Sequence, residues 1–340
     1  MHEKKLSFAL SKANEENRRL VVPLLGFPGL KLTRSTIKLA QQNYGEHFNV
    51  IKAIAHEFNP DAVFPLMDLS VEANALGRYT LFPKEESSTV VKDAFTPQDL
   101  EDIKRINISF DTRLQGYIKT INLMRTNISQ NILCGAYVTG PYTLAGLLMG
   151  AEEAALATIM NPEYLHQVCQ LTTIKIQDYV RLLIESGADI ICFLEPSAVM
   201  LGADQFKEFS SKYVESICNK YQGTGISFVY HICGNTMHLI ERMAESGVNA
   251  LSLDSSKAGI NLFEAIKKAP HDVIIIGNIC PTGSLLYGTP LDVEIEVRSL
   301  LDEVNVFPNF ILSTGCDLPQ ETPLENIHAF MKTGKNYRIA

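Results

Sequence analysis

This 340-residue chain is marked first by what it lacks. It has no run of eighteen or more apolar residues, so no segment reads as a membrane-spanning helix. Nor has it a basic stripe: the formal net charge of −8 is spread along the chain, which argues against nucleic acid and acidic membranes as main partners. The start, Met1-His-Glu-Lys-Lys and then the broken segment Leu6-Ser-Phe-Ala-Leu-Ser-Lys12, is too short and too polar for a signal peptide. A soluble cytoplasmic protein is therefore expected. Tryptophan is absent as well, which excludes nothing. The seven cysteines (134, 169, 192, 218, 233, 280 and 316) are an odd number without an export signal, so reduced thiols or metal ligands are expected in place of a disulfide framework.

What is present is a globular composition, 46% hydrophobic and 20% charged, enough for a sizeable core. Neither low complexity nor a linker interrupts it, so residues 1–340 read as one domain. Short Val- and Ile-rich runs alternate with segments of helical period. Eight runs read as strands: 21–26, 62–68, 132–139, 189–195, 227–233, 250–254, 273–278 and 310–315. Between them lie amphipathic stretches such as 162–186, 203–221, 261–268 and 291–304. Asn161-Pro162 and Thr289-Pro290 are helix-start signals, and the two Glu-Ser-Gly junctions at Gly187 and Gly247 stop helices ahead of buried strands. Apolar strands separated by helices imply a parallel sheet covered on both faces. Eight such units predict an α/β fold, a closed (β/α)8 TIM barrel with an N-terminal extension. Residues 83–131, with helices over 97–106 and 111–126, read as a helical insertion after the second strand.

In such a barrel chemistry gathers at the C-terminal ends of the strands. Those ends carry Asp68, Glu195, His231 with Cys233, Asp254, Asn278 with Cys280, and Cys316 with Asp317. Residues i and i+2 of an extended chain point to one side, so His231 and Cys233 are able to grip one ion. Two ligands are too few for zinc. Cys316, beside a glycine just past the eighth strand, supplies a third at the same rim. His, Cys and Cys leave one position open, the arrangement that suits catalysis. Cys134, Cys169, Cys192 and Cys218 read as small core residues, and Cys280 is a competing ligand or part of a helix-start turn. Glu195 and Asp254 are candidates for a fourth ligand, a partner of His231 or a proton acceptor, with helix capping the alternative. Asp68 and Asn278 are weaker candidates of the same kind, and Asp317 reads as a cap for the last helix.

His231-Ile-Cys-Gly-Asn-Thr236 and Gly315-Cys-Asp-Leu-Pro319, with Asp68-Leu-Ser-Val-Glu-Ala-Asn-Ala-Leu-Gly77, Thr139-Gly-Pro-Tyr-Thr143, Glu195-Pro196 and Gly277-Asn278, carry a resemblance over nearly the whole chain. The sequence resembles the uroporphyrinogen decarboxylase superfamily, and within it the corrinoid-dependent methyltransferases of anaerobic one-carbon metabolism. The resemblance implies zinc on His231, Cys233 and Cys316; the strand-end reading adds Glu195 and Asp254 as candidate catalytic residues and Asp68 and Asn278 as candidate substrate contacts. It also implies a methylcobamide carried by a partner protein as methyl donor, and a small thiol such as coenzyme M or homocysteine as acceptor. Coordination removes the proton that a free thiol, with a pKa near 8.5, mostly keeps at neutral pH. Two cysteinates keep the bound sulfur electron-rich, which suits alkyl transfer better than water activation. Transfer in the reverse direction stays open. So does a metal-free decarboxylase or tetrapyrrole-binding paralogue, although Val21-Val-Pro-Leu-Leu-Gly-Phe-Pro-Gly29 has no arginine before Arg34 to meet substrate carboxylates.

Overall fold

The computed structural model describes residues 5–339. Seven parallel strands form one curled sheet in the order β1, β4, β5, β6, β7, β8, β9. They are β1 (Ala62–Val63), β4 (Leu133–Thr139), β5 (Ile190–Leu194), β6 (Ser227–Ile232), β7 (Ala250–Leu253), β8 (Ile274–Ile279) and β9 (Phe310–Thr314). The remaining two, β2 (Thr80–Leu81) and β3 (Thr89–Val90), make a separate antiparallel pair. The eighth barrel position is filled by residues 20–22. Val22 N–H donates to the Leu312 carbonyl at 2.8 Å, Leu312 N–H donates to that of Leu20 at 3.0 Å, and Asp61 N–H donates to that of Val21 at 3.0 Å. These bonds join β9 to the edge of β1 and close the sheet. The architecture is thus the predicted TIM barrel, with a first strand reduced to a bridge between Val21 and Leu312.

Proline explains the two short strands. Pro23 and Pro65 have no N–H to give to a ladder, so pairing stops before each. Both crossover glycines behave as anticipated: Gly187 and Gly247 take φ of +101° and +76°, a left-handed conformation that a Cβ opposes. Thr289 caps the helix Pro290–Glu303 in a capping box with Asp292. The helix Pro162–Glu185 follows an Asn161 cap, as expected.

The expected insertion is partly reassigned. Helix Thr112–Asn127 packs on helix Tyr44–Phe58 and feeds β4, so it is the crossover of its βα unit. The extra material is the β2–β3 hairpin, absent from the sequence reading, and the helix Pro97–Arg105. The N-terminal extension is the helix Lys5–Glu15. It buries Leu6, Leu10 and Ala13 against Val22, Ile190, Cys192, Val229, Ile274 and Ile311, the side chains that fill the barrel interior. Of these, Leu6, Val22, Ile190, Cys192, Val229 and Ile311 are at most 4% exposed, so the lower end of the barrel is plugged. Chemistry is left to the other end. No single helix among the described residues is long and apolar enough to cross a membrane, and the apolar pair Pro141–Met149 and Ala151–Met160 is bent by 107°.

Candidate metal centre

β6 is buried along its whole length, and its parity sends Val229 and His231 into the barrel while Tyr230 meets the helix layer. His231 thus sits 1% exposed at the mouth, with Cys233 two residues on and half-buried. At Gly234 the chain turns away with φ of +95°. A Cβ there would also lie 3.1 Å from Val199.

Cys316 arrives from past β9. Gly315 before it is required for room more than for the turn, because a Cβ would lie 2.5 Å from the Ser255 backbone nitrogen. The outcome is one compact group. His231 Nε2 is 3.2 Å from Cys233 Sγ and 3.8 Å from Cys316 Sγ, and the two sulfurs are 3.2 Å apart. Bonds of about 2.0–2.3 Å to a tetrahedral zinc place nitrogen and sulfur ligands roughly 3.5–3.8 Å from one another. The three atoms, all within 4.8 Å of each other, need move only by tenths of an ångström to fit. In the absence of an ion, a hydrogen bond to Cys233 and burial both hold the Cys316 thiol well above the usual range, against the opposing pull of His231. Burial works against protonation of His231, yet the Cys316 sulfur and the charges of Asp254 and Asp317 carry its pKa upward. Charges that favour a cation on the imidazole favour a metal cation equally.

Around the three ligands stand residues that orient them. Ser252, opposite His231 in the β6–β7 register, has its hydroxyl 3.0 Å from Nδ1. A proton held on Nδ1 by that oxygen leaves the Nε2 lone pair facing the sulfurs. Asp254 accepts from Gly234 N–H at 2.7 Å and from Ser255 N–H at 2.6 Å, which fixes the turn after Cys233. Asn278, which follows a cis peptide bond from Gly277, donates to the Asp254 carbonyl at 2.8 Å. Asp317 does not cap the last helix, as the sequence suggested. That helix, Leu324–Asn336, starts from Pro323, while the Asp317 carboxylate accepts the Gly26 N–H at 3.3 Å. It ties the loop after β9 to the loop that holds Gly26. Cys280 stays outside the group, its sulfur 3.7 Å from the Thr282 hydroxyl.

Two expected site residues do other work. β5 points Cys192 and Leu194 inward, so Glu195 is turned toward the helix layer. There it is fully buried and accepts from Tyr142 N–H at 2.8 Å, Thr143 N–H at 3.3 Å and Ser210 Oγ at 2.9 Å. It thus caps the helix Pro141–Met149, and burial pushes its pKa up to about 8. Gly140 is glycine because a Cβ there would lie 1.4 Å from the Glu195 carboxylate. Asp68 accepts from Arg113, from Tyr117 Oη at 2.8 Å, and from Ser70 and Ser88. It anchors the hairpin segment to the barrel, with the Arg113 guanidinium 4.8 Å from the Phe82 ring centre.

Sequence reasoning missed Ser252, Glu72 and Tyr137. Glu72, buried and with its pKa raised to about 7 by burial, accepts from Thr139 N–H and Oγ1 at the same turn that Glu195 caps. Ser252 did leave a signal, a hydroxyl at the inward parity of an otherwise apolar strand.

Residues 36–337 match the model of uroporphyrinogen decarboxylase (URO-D). The methylcobamide:CoM methyltransferase MtbA of Methanosarcina mazei is 29% identical over 265 residues, which cover 75% of this chain and 73% of that one. A uroporphyrinogen decarboxylase of Prochlorococcus marinus is 23% identical over 292 residues, 82% of this chain and 81% of its own length. Among solved structures, a methyltransferase from Methanosarcina mazei superposes with a TM-score of 0.84 at 20% identity over 93% of both chains. With a match spanning most of its length, the chain belongs to the uroporphyrinogen decarboxylase (URO-D) family.

Proposed function

We propose that this protein is a corrinoid-dependent methyltransferase that passes a methyl group between a methylcobamide on a partner protein and a small thiol, coenzyme M or homocysteine. The observation that carries the reading is the meeting of His231, Cys233 and Cys316 at the open end of the barrel. Nitrogen and two sulfurs form the donor set that suits zinc, and three protein ligands are the number that leaves a place for a substrate. A zinc ion there would supply a coordination position at which a thiol loses its proton near neutral pH. The names of the Methanosarcina relatives point the same way.

The residues divide the work. Cys233 and Cys316 would hold the ion as thiolates, whose two negative charges would offset its own and keep a third sulfur electron-rich. Ser252 holds the His231 tautomer, and Asp254, with Asn278 behind it, fixes the turn that carries Cys233. Asp254 and Asn278 thus act by positioning. Asp68 and Glu195 act further out, through the hairpin and the helix start that they hold. The substrate sulfur forms the new S–C bond, the Co–C bond breaks with its electron pair left on cobalt as Co(I), and the thiol proton passes to solvent at the mouth. In a metal-free decarboxylase Cys233 and Cys316 would need no place beside His231, whereas a shared ion accounts for their approach to it.

The test is anaerobic incubation of zinc-loaded protein with methylcobalamin and a panel of thiols. The expected result is the cob(I)alamin spectrum with a matching thiol, together with loss of stoichiometric zinc and of activity in Cys316→Ala. Protein that binds no metal with all three residues intact would refute the proposal.

A further inference from the structure

Around the barrel, the ligands come from β6 and from the loop after β9. One arc between them holds only β7 and β8. The wider arc holds residues 20–22, β1, β4 and β5, and on its inner wall stands Tyr137 of β4, partly exposed and packed with the interior side chains. Its placement is built in. Gly135, two residues earlier on the same face, leaves room for the Phe64 ring, which a Cβ would approach to 2.1 Å. That ring stacks on Tyr137 with centres 4.9 Å apart and planes 24° apart. Burial raises the pKa of the phenol, and Asp317, Cys192, Cys316 and Cys233 lie close enough to raise it further. It therefore stays an O–H donor at all ordinary pH. Among the described residues that hydroxyl has no hydrogen-bond partner.

A rigid donor thus stands on the inner wall of the wider arc, the part of the barrel that contributes none of the three ligands. We propose that Tyr137 is a substrate-binding residue whose phenolic O–H donates a hydrogen bond to the sulfur of the incoming thiol. The inference rests on the proposed thiol-dependent function and adds the residue that aims the acceptor. A hydrogen bond to a charged sulfur corresponds to roughly 10- to 100-fold in affinity.

The experiment uses Tyr137→Phe, which keeps the ring stacked on Phe64, in the full chain loaded with Co(II). Binding of coenzyme M and of ethanethiol is followed by the thiolate-to-cobalt charge-transfer absorption. The dissociation constant should rise roughly 10- to 100-fold for both thiols, with Co(II) stoichiometry and Tm unchanged. Equal affinity in variant and parent overturns the inference. So does a loss confined to coenzyme M, which would place the phenol on the sulfonate tail. A parent protein that gives no thiolate band with either thiol refutes the function itself, and this role with it.

Discussion

Ser252→Ala removes one oxygen and leaves almost no space behind, so its effect isolates a single hydrogen bond. The serine and His231 are 2% and 1% exposed, and no water takes the place of a lost partner easily at that depth. In metal-free protein the imidazole can move its proton to Nε2, where the Cys233 sulfur at 3.2 Å receives it. The penalty then falls on the metal-bound form, which needs the Nε2 lone pair and so keeps an unpaired N–H on Nδ1. A buried unsatisfied donor costs about 1–3 kcal/mol. At 1.4 kcal/mol per decade this weakens zinc binding by roughly 10- to 100-fold, the range in which residues that orient metal ligands act. Competition against a chromophoric chelator measures the affinity, and urea denaturation of the metal-free variant checks that folding stability has moved by less than about 1 kcal/mol. Zinc affinity within twofold of the parent, in an intact fold, would refute the claim that Ser252 sets the tautomer.

Gly315→Ala forces a methyl against the Ser255 backbone at 2.5 Å, so it should destabilise the fold by about 1–3 kcal/mol and displace Cys316, read as lower metal stoichiometry. Glu195 has a folded pKa of about 8 against an ordinary 4.5, so the folded state holds the proton more tightly. Its contribution to stability is whole below pH 4.5 and is lost as pH rises to about 8, with a slope of up to about 1.4 kcal/mol per pH unit. Glu195→Gln keeps an acceptor for Tyr142 and Thr143, and should flatten the decline between pH 5 and 8 in urea titrations; an unchanged slope would be evidence against a buried neutral acid. Arg113→Met strips the cation from Asp68 where their side chains are 8% and 1% exposed, an expected loss of about 3–5 kcal/mol by denaturation. Adding Asp68→Asn should restore part of it.

The layout of the barrel was legible because every crossover carries its own punctuation. Asn161 and Thr289 cap, Gly187 and Gly247 release, and the strands between are too apolar to face water. Strand length was less legible. The runs 21–26 and 62–68 look like their neighbours until the missing N–H of Pro23 and Pro65 is counted, and both then shrink to two or three paired residues. Helix Thr112–Asn127 reads from sequence as part of the insertion because the polar stretch before it hides where the insertion ends. Its packing on helix Tyr44–Phe58 is a tertiary fact with no local signature.

At the candidate site the same limit takes a sharper form. Which strand-end residues face the mouth depends on parity, and parity needs a landmark. Ala250-Leu-Ser-Leu-Asp254 has one: Ser252 points inward, so Asp254, two residues on, lies on the side of the ligands. Ser227-Phe-Val-Tyr-His231 has another in its own histidine. Asp189-Ile-Ile-Cys-Phe-Leu-Glu195 has none, because a strand covered on both faces is apolar at every position. Glu195 therefore looked as well placed as Asp254 while lying one residue out of phase, against the helix layer. The signal that would have separated them is not on the strand at all. It is Gly140, whose missing side chain leaves the space that the Glu195 carboxylate fills.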